Sequence, residues 1–409
     1  MKVSFLSKIK TFPKSYWSLS SATFIYYIVV ACGGFLTVFL QQRGFQAHQV
    51  GFINAFSMAF SIVAAPFWGM IADKIGSIRK VFMLTLGISA VLWALVPLTS
   101  GITLGPLIVM YLVIIPGAFF RNPTQSLMDG YLIQLSDKDG LPYGHVRLWG
   151  SFSWAAMCIL LGIIIPRTGV EFSFYIHGIM TIPVLLIMWK MKDTAPKSAG
   201  EKTSLKKMGF GRLLKNYYFI TYLIVAVFLH MPLSTSMNFL PFLIANVGGD
   251  TNLYGLVIGY RGFLEIPMLF LMRAIRRKFP LPVAIIGSAV LYCTEAFFYS
   301  RATSFTHIIL VQILHGLGQG LMHGSVTNYV FSLAPEGLNS TAHTIHGSVR
   351  SAAGILGNLL GGYLIFSLGI KLFYSTVFFM ILFAIAFFLI TLFIGIKILK
   401  KPLPQMKAV

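Results

Sequence analysis

Residues 191–212 read MKDTAPKSAGEKTSLKKMGFGR. Lysine, serine, glycine and a proline at this density make a solvated connector rather than a packed element. On both sides the chain turns apolar for well over a hundred residues. Before the connector, apolar runs of bilayer-crossing length fall near 17–42, 48–72, 80–98, 103–134, 145–166 and 172–190. After it they fall near 217–245, 252–272, 281–299, 306–332, 341–366 and 371–397. A helix needs about 20 apolar residues to cross the hydrocarbon layer. The connector therefore separates six expected helical spans from six more. Short alternating strands, which a closed barrel would require, are absent from the pattern.

Composition agrees. The 409 residues are 56% hydrophobic and only 11% charged, against roughly a quarter charged in soluble domains, and the mean hydropathy is +0.80. The formal charge of +21 would suit a nucleic-acid partner if it were clustered on one face. Instead, 25 of the 32 Lys and Arg fall in segments on the side of the N-terminus, 4 in the opposite loops, and Arg121, Arg261 and Arg350 inside spans. That asymmetry predicts cytoplasmic termini and contact with anionic lipid heads, and it argues against nucleic acid. The opening MKVSFLSKIKTFPKSYW is basic and amphipathic and runs into a full span, so it reads as a cytoplasmic segment rather than a cleavable signal. Cys32, Cys158 and Cys293 lie in separate spans without metal-ligand spacing and read as small core residues. The expected organisation is an N-terminal segment 1–16, a bundle 17–190, a cytoplasmic linker 191–216, a second bundle 217–397 and a tail 398–409.

Between the second and third spans, residues 69–80 read GMIADKIGSIRK. Gly69, Asp73, Lys74, Gly76, Arg79 and Lys80 resemble the signature of the major facilitator superfamily, with one extra residue before Arg79. Gly69 is expected to let helices approach closely, and Asp73 to pair with a base or a helix N-terminus. The corresponding loop of the second half, MRAIRRKFP at 272–280, keeps the basic residues and lacks the acid.

The fourth and fifth runs frame DGYLIQLSDKDGLPYGHVRLWGSFSW, residues 129–154. Asp137, Asp139, Gly140 and Pro142 favour a turn. An antiparallel hairpin pivoting at Lys138 puts Asp129 and Arg147 at equal depth, about 13 Å of helix from the pivot. Charges at such depth are expensive unless paired. Trp154 lies two turns beyond Arg147 on the same face. A guanidinium offers bidentate hydrogen bonds, and an indole offers a flat apolar surface to a sugar or aromatic ring. Arg121, Gln125 and Asp129 share a face at i, i+4, i+8, so Arg121 is a candidate either to neutralise Asp129 or to bind an anion. Pro123 is expected to distort the helix there.

At these residues the chain resembles the lactose permease family of the major facilitator superfamily, and also the phenylpropionate and nucleoside permeases. In the lactose permease group a carboxylate, an arginine 18 positions later and a tryptophan seven positions further bind the galactoside. Asp129, Arg147 and Trp154 fall on those positions, with Asp in place of Glu. The wording YGHVRLWGS at 143–151 is similar to the phenylpropionate permeases. The resemblance implies an all-α membrane protein of twelve transmembrane helices in two six-helix halves, working by alternating access.

Ionisable residues in the second half supply candidates for coupling to a proton. Gln312, His315, Gln319 and His323 share one helical face; His343, His346 and Arg350 share another. Glu265, with Arg261 one turn earlier, and Glu295 complete the set, since buried Glu and His can relay protons. The resemblance puts His315 and Arg350 on the lactose permease group's coupling histidine and basic residue. Its proton-binding Glu is replaced by Gly318, and Glu295 stands where that group has an arginine. The expectation is that Glu295, or Glu265 with Arg261, takes the proton while His315, His323 or Arg350 tunes it. Glycines in GILGNLLGG, 354–362, read as helix packing.

The sequence thus points to a secondary active transporter, acting as a monomer in a bacterial inner membrane and needing no cofactor beyond a proton gradient. The first expectation is import of a sugar or oligosaccharide with protons. Alternatives are an aromatic acid or nucleoside symporter, a proton-driven drug or lipid exporter, and a solute sensor without flux. No GxSxG, HExxH or Walker motif argues for an enzyme.

Overall fold

The computed structural model describes residues 13–104, 107–141, 143–193, 213, 215–335 and 338–401. The N-terminal segment to residue 12, the connector over 194–212 and the tail over 402–409 lie outside the described residues.

The chain is helical almost throughout. The helices are α1 Lys14–Cys32, α2 Leu36–Gln42, α3 Ala47–Ile75, α4 Ile78–Thr99, α5 Val109–Arg121, α6 Pro123–Asp139, α7 Tyr143–Thr168 and α8 Glu171–Lys190. They continue with α9 Tyr217–Asn238, α10 Leu240–Asn246, α11 Tyr254–Lys278, α12 Leu281–Ser300, α13 Phe305–Leu333, α14 Asn339–Leu368 and α15 Ile370–Phe393. Polar side chains start several of them. Ser77 accepts from Lys80 N–H, Ser304 from His307 N–H, and Asn216 from the N–H groups of Tyr218 and Phe219, which satisfies donors that the helix leaves free.

Among the described residues, ten helical segments are long and apolar enough to cross a membrane. The fourth and eighth expected spans are not among them. The fourth differs because 103–108 holds a two-residue antiparallel ladder, Thr103–Leu104 on Leu107–Ile108, and the helix begins only at Val109. It then divides at Asn122, where Pro123, lacking an N–H, opens α6. The eighth, α11, is a full 25 residues but carries Arg261 and Glu265 within it and basic residues at its end. Large apolar side chains such as Val63, Trp189, Leu360 and Phe379 point outward from the helices, as a hydrocarbon solvent permits and water does not.

The chain forms two compact units, 1–39 with 60–200, and 40–59 with 201–409. In the first unit α1 packs on α7 and α8, and α4 packs on α5, α6 and α8. In the second, α9 packs on α14 and α15, and α12 packs on α13 and α15. The same pairing order, first with fifth and sixth, third with fourth and sixth, therefore recurs in both. The core of the first unit is aromatic and aliphatic, built around Tyr26, Phe82, Met128, Tyr131, Leu132 and Val146. Glycines of the 354–362 stretch seat α14 against α9: side chains at Gly357 and Gly361 would collide with Met231 and Thr235.

Candidate functional site

In the first unit the α6–α7 turn is closed by Gly140 in the left-handed conformation, φ 64°, two residues beyond the pivot expected at Lys138. The hairpin brings Arg147 Nε to 3.6 Å from Asp129 Oδ1, with the two side chains 28% and 30% exposed. The pair is thus held within the bundle while remaining open to a solute. Its third member comes from α1. Tyr27 donates to Asp129 Oδ1 at 3.5 Å, and its ring lies under the Arg147 guanidinium, 4.3 Å from ring centre to Cζ. Cation–π contact of this kind holds a guanidinium flat without consuming its N–H donors. Arg147 also donates to Ser151 at 3.3 Å. Gly150, one turn after Arg147, is what admits the ring, because a Cβ there would overlap Tyr27. Gln125 is exposed on α6, one turn before Asp129.

Trp154 and Arg121 make contacts of their own. Trp154 is half-buried and packs against the aromatic core of the unit, so the ring that meets the guanidinium is Tyr27. Arg121 does not neutralise Asp129. Eight residues separate them, about 12 Å of helix rise, and the break at Asn122 lies between. Arg121 instead stacks over Trp93, 4.5 Å from Cζ to the ring centre, and lies against the backbone at Gly33, where any side chain would displace it. Among the described residues it has no carboxylate partner. The pattern at 129–154 could not reveal Tyr27, because the IYYIVV run of α1 reads as ordinary apolar helix.

The signature loop folds differently from its expected role. A Cβ on Gly69 would meet nothing within 4 Å, so close helix approach does not depend on it. Asp73 is exposed; its carbonyl accepts from Gly76 N–H at 3.2 Å, and its carboxylate has no partner among the described residues. Gly76 turns the chain at φ 70°. Lys74 ends α3 and Lys80 opens α4 behind the Ser77 cap. Arg79 is the structural centre: it donates to the carbonyls of Met188 at 3.0 Å and Trp189 at 2.8 Å and sits 3.5 Å from Asp193. A cation there satisfies the free carbonyls at the C-terminus of α8. Ser77 donates to Asp193 at 2.5 Å, and Tyr131 donates to Lys192 O at 2.8 Å.

In the second unit one face of α13 carries a polar ladder. Gln312 donates to Tyr299 at 2.6 Å. His315 Nδ1 lies 2.9 Å from both carboxylate oxygens of Glu295, with the two side chains only 3% and 5% exposed. Its Nε2 lies 3.0 Å from Gln319 Oε1. About two turns beyond His315, His323 Nδ1 lies 2.9 Å from Glu265 Oε1. Glu265 thus pairs with His323 and not with Arg261. Arg261 is buried, and among the described residues the one-turn spacing on α11 does not become an ion pair. Arg350 joins neither carboxylate. It lines a cavity of about 560 Å³ together with His323, His343 and His346, and with His230 of α9, which the sequence patterns had not singled out.

Relatives match this chain along most of its length. The maltose permease of Geobacillus stearothermophilus is 21% identical over 332 residues, 81% of this chain and 82% of that protein. The sucrose permease of Escherichia coli is 23% identical over 76% of this chain and 77% of its own, and the lactose permease of Klebsiella oxytoca 21% over 65% and 67%. Among solved structures, a point mutant of the nucleoside transporter NupG superposes with a TM-score of 0.80 at 14% identity, covering 92% of this chain and 99% of that one. A D-xylose-proton symporter superposes with a TM-score of 0.63 at 15% identity, covering 99% and 100%. These are membrane carriers rather than enzymes, and with residues 16–376 matching the MFS_1-like family, the chain belongs to that family of major facilitator transporters.

Proposed function

We propose that this transporter is a proton-coupled importer of a small polar organic solute, a sugar or short oligosaccharide first. It works as a monomer by alternating access, with both termini in the cytoplasm of a bacterial inner membrane. The observation that carries the reading is the half-open Asp129–Arg147–Tyr27 cluster. It presents acceptors, planar donors and an aromatic edge, the set that recognises vicinal hydroxyls. Relatives named maltose, lactose and sucrose permease support a sugar. The sealed Glu295–His315 pair supports coupling: a carboxylate and an imidazole in contact, shut away from larger ions, are suited to exchange a proton.

A second reading, an aromatic acid, draws support from Arg121, which stacks on Trp93 without an acid partner among the described residues. Both readings meet the same test. De-energised, lightly buffered vesicles containing the protein receive maltose, lactose, sucrose, phenylpropionate and nucleosides in turn. External alkalinisation with a sugar, lost in Arg147→Ala, is the expected result. A response confined to phenylpropionate would transfer the assignment to the second reading, and uptake without any alkalinisation would remove proton coupling.

A further inference from the structure

The cavity of the second unit has an unusual electrostatic lining. Arg350, His343 and His346 of α14, His323 of α13 and His230 of α9 all border it, and among the described residues no Asp or Glu does. Glu265 pairs with the lining residue His323 at 2.9 Å. Arg350 and His343 are exposed on the lining, His323 is 51% exposed, and Arg350 has no acid partner among the described residues. Arg350 stands eleven residues into α14, about 16 Å along the helix, where an uncompensated guanidinium is costly in a membrane. Such a charge asks for an anion to answer it.

The histidines do not answer as a metal site. Among the described residues no three His, Cys, Asp or Glu side chains converge closely enough to hold an ion. The rest of the lining mixes uncharged polar side chains, Ser234, Gln319, Thr327 and Ser351, with apolar and aromatic ones such as Leu233, Met237 and Tyr292. Hydroxyl and amide groups suit a polyol, and about 560 Å³ falls within the range of small-molecule sites.

We infer that this cavity is a carboxylate-binding subsite, in which Arg350 and His343 hold the acid group of a sugar acid, so that the solute is an acidic rather than a neutral sugar. The inference rests on the sugar reading above and narrows it. A guanidinium engages a carboxylate through two parallel N–H donors, which a lysine cannot reproduce.

The test is equilibrium binding by calorimetry to the full chain in lipid nanodiscs. The probes are pairs that differ in charge and little else: D-glucuronate against D-glucuronamide, D-galacturonate against D-galactose, and lactobionate against lactitol. At least one acid is expected to bind about 10- to 100-fold more tightly than its neutral partner, the range for a hydrogen bond to a charged group. Arg350→Gln should abolish that preference and Arg350→Lys should keep part of it, which separates lost recognition from lost folding. His343→Gln should reduce it by a smaller factor. Acids that bind no better than their neutral partners, or a preference that survives Arg350→Gln, would overturn the inference. Binding needs no gradient, so the two readings fail separately. An acid that binds without proton movement in vesicles would keep the subsite and remove symport. Proton-coupled uptake of neutral sugars, with every acid excluded, would keep the carrier and remove the subsite.

Discussion

Each unit of the protein holds an acid–base pair, and the two pairs are built in opposite ways. Asp129 and Arg147 meet at 3.6 Å with more than a quarter of each side chain exposed. Glu295 and His315 meet at 2.9 Å and are almost wholly enclosed. An open pair with a long, imperfect contact has donors and acceptors to spare for a solute. A closed pair with both oxygens engaged has room for nothing larger than a proton. Loss of one partner also weighs differently. An open charge is re-solvated, whereas a charge left alone in the interior costs about 3–5 kcal/mol. Under the proposed function the open pair recognises the solute and the sealed pair carries the proton, and that contrast can be broken in several places.

The largest expected effect is at Arg147. Arg147→Ala should lower the initial uptake rate about 100-fold, since it removes charged hydrogen-bond donors to the solute worth roughly 1.5–3 kcal/mol each, and Arg147→Lys should recover little. Rates are compared at equal membrane abundance. Next is Glu295→Gln, which keeps the shape and removes the charge. Accumulation against a gradient should collapse to equilibration while downhill flux stays within about threefold, because the open pair is untouched; proton flux reports the first and counterflow the second. If Glu295→Gln abolished counterflow while Arg147→Ala spared it, the two assignments would have to be exchanged.

Smaller changes sharpen the geometry of the open pair. Gly150→Ala should force the Tyr27 ring off the guanidinium and lower affinity about tenfold, in line with the 1–3 kcal/mol of typical overpacking. Tyr27→Phe keeps the stacked ring and removes only the hydroxyl, so about threefold to tenfold is expected, near 1 kcal/mol for one hydrogen bond. Equal losses in the two variants would mean that the ring's position carries no weight of its own. The smallest effect should be at Arg79→Lys, which loses the forked contact with Met188, Trp189 and Asp193. Thermal stability should fall by about 1 kcal/mol with substrate affinity unchanged, as read by unfolding and by binding on the same sample.

Much of this was legible before folding. Apolar run length set the membrane class, and an 18-residue interval across a turn set the Asp129–Arg147 pair. Those are properties of one element or of two joined by a short turn, where chain geometry leaves little choice. The reading weakened wherever a contact needed a third helix. Tyr27, unmarked in the sequence, reaches Arg147 because α1 crosses α7 at Gly150. Glu265 finds His323 across 58 residues rather than Arg261 one turn away. Arg121 turns to Trp93, and Asp193 rather than Asp73 serves Arg79.

The sequence by itself determined a helical membrane chain and which helical faces are polar. Only the tertiary structure decided which polar faces meet, which pair is open and which is sealed, and that five basic residues border one cavity with no acid among the described residues. Helical periodicity places a residue on a face of its own helix, but the rotation of that helix against its neighbours comes from the packing of many side chains at once.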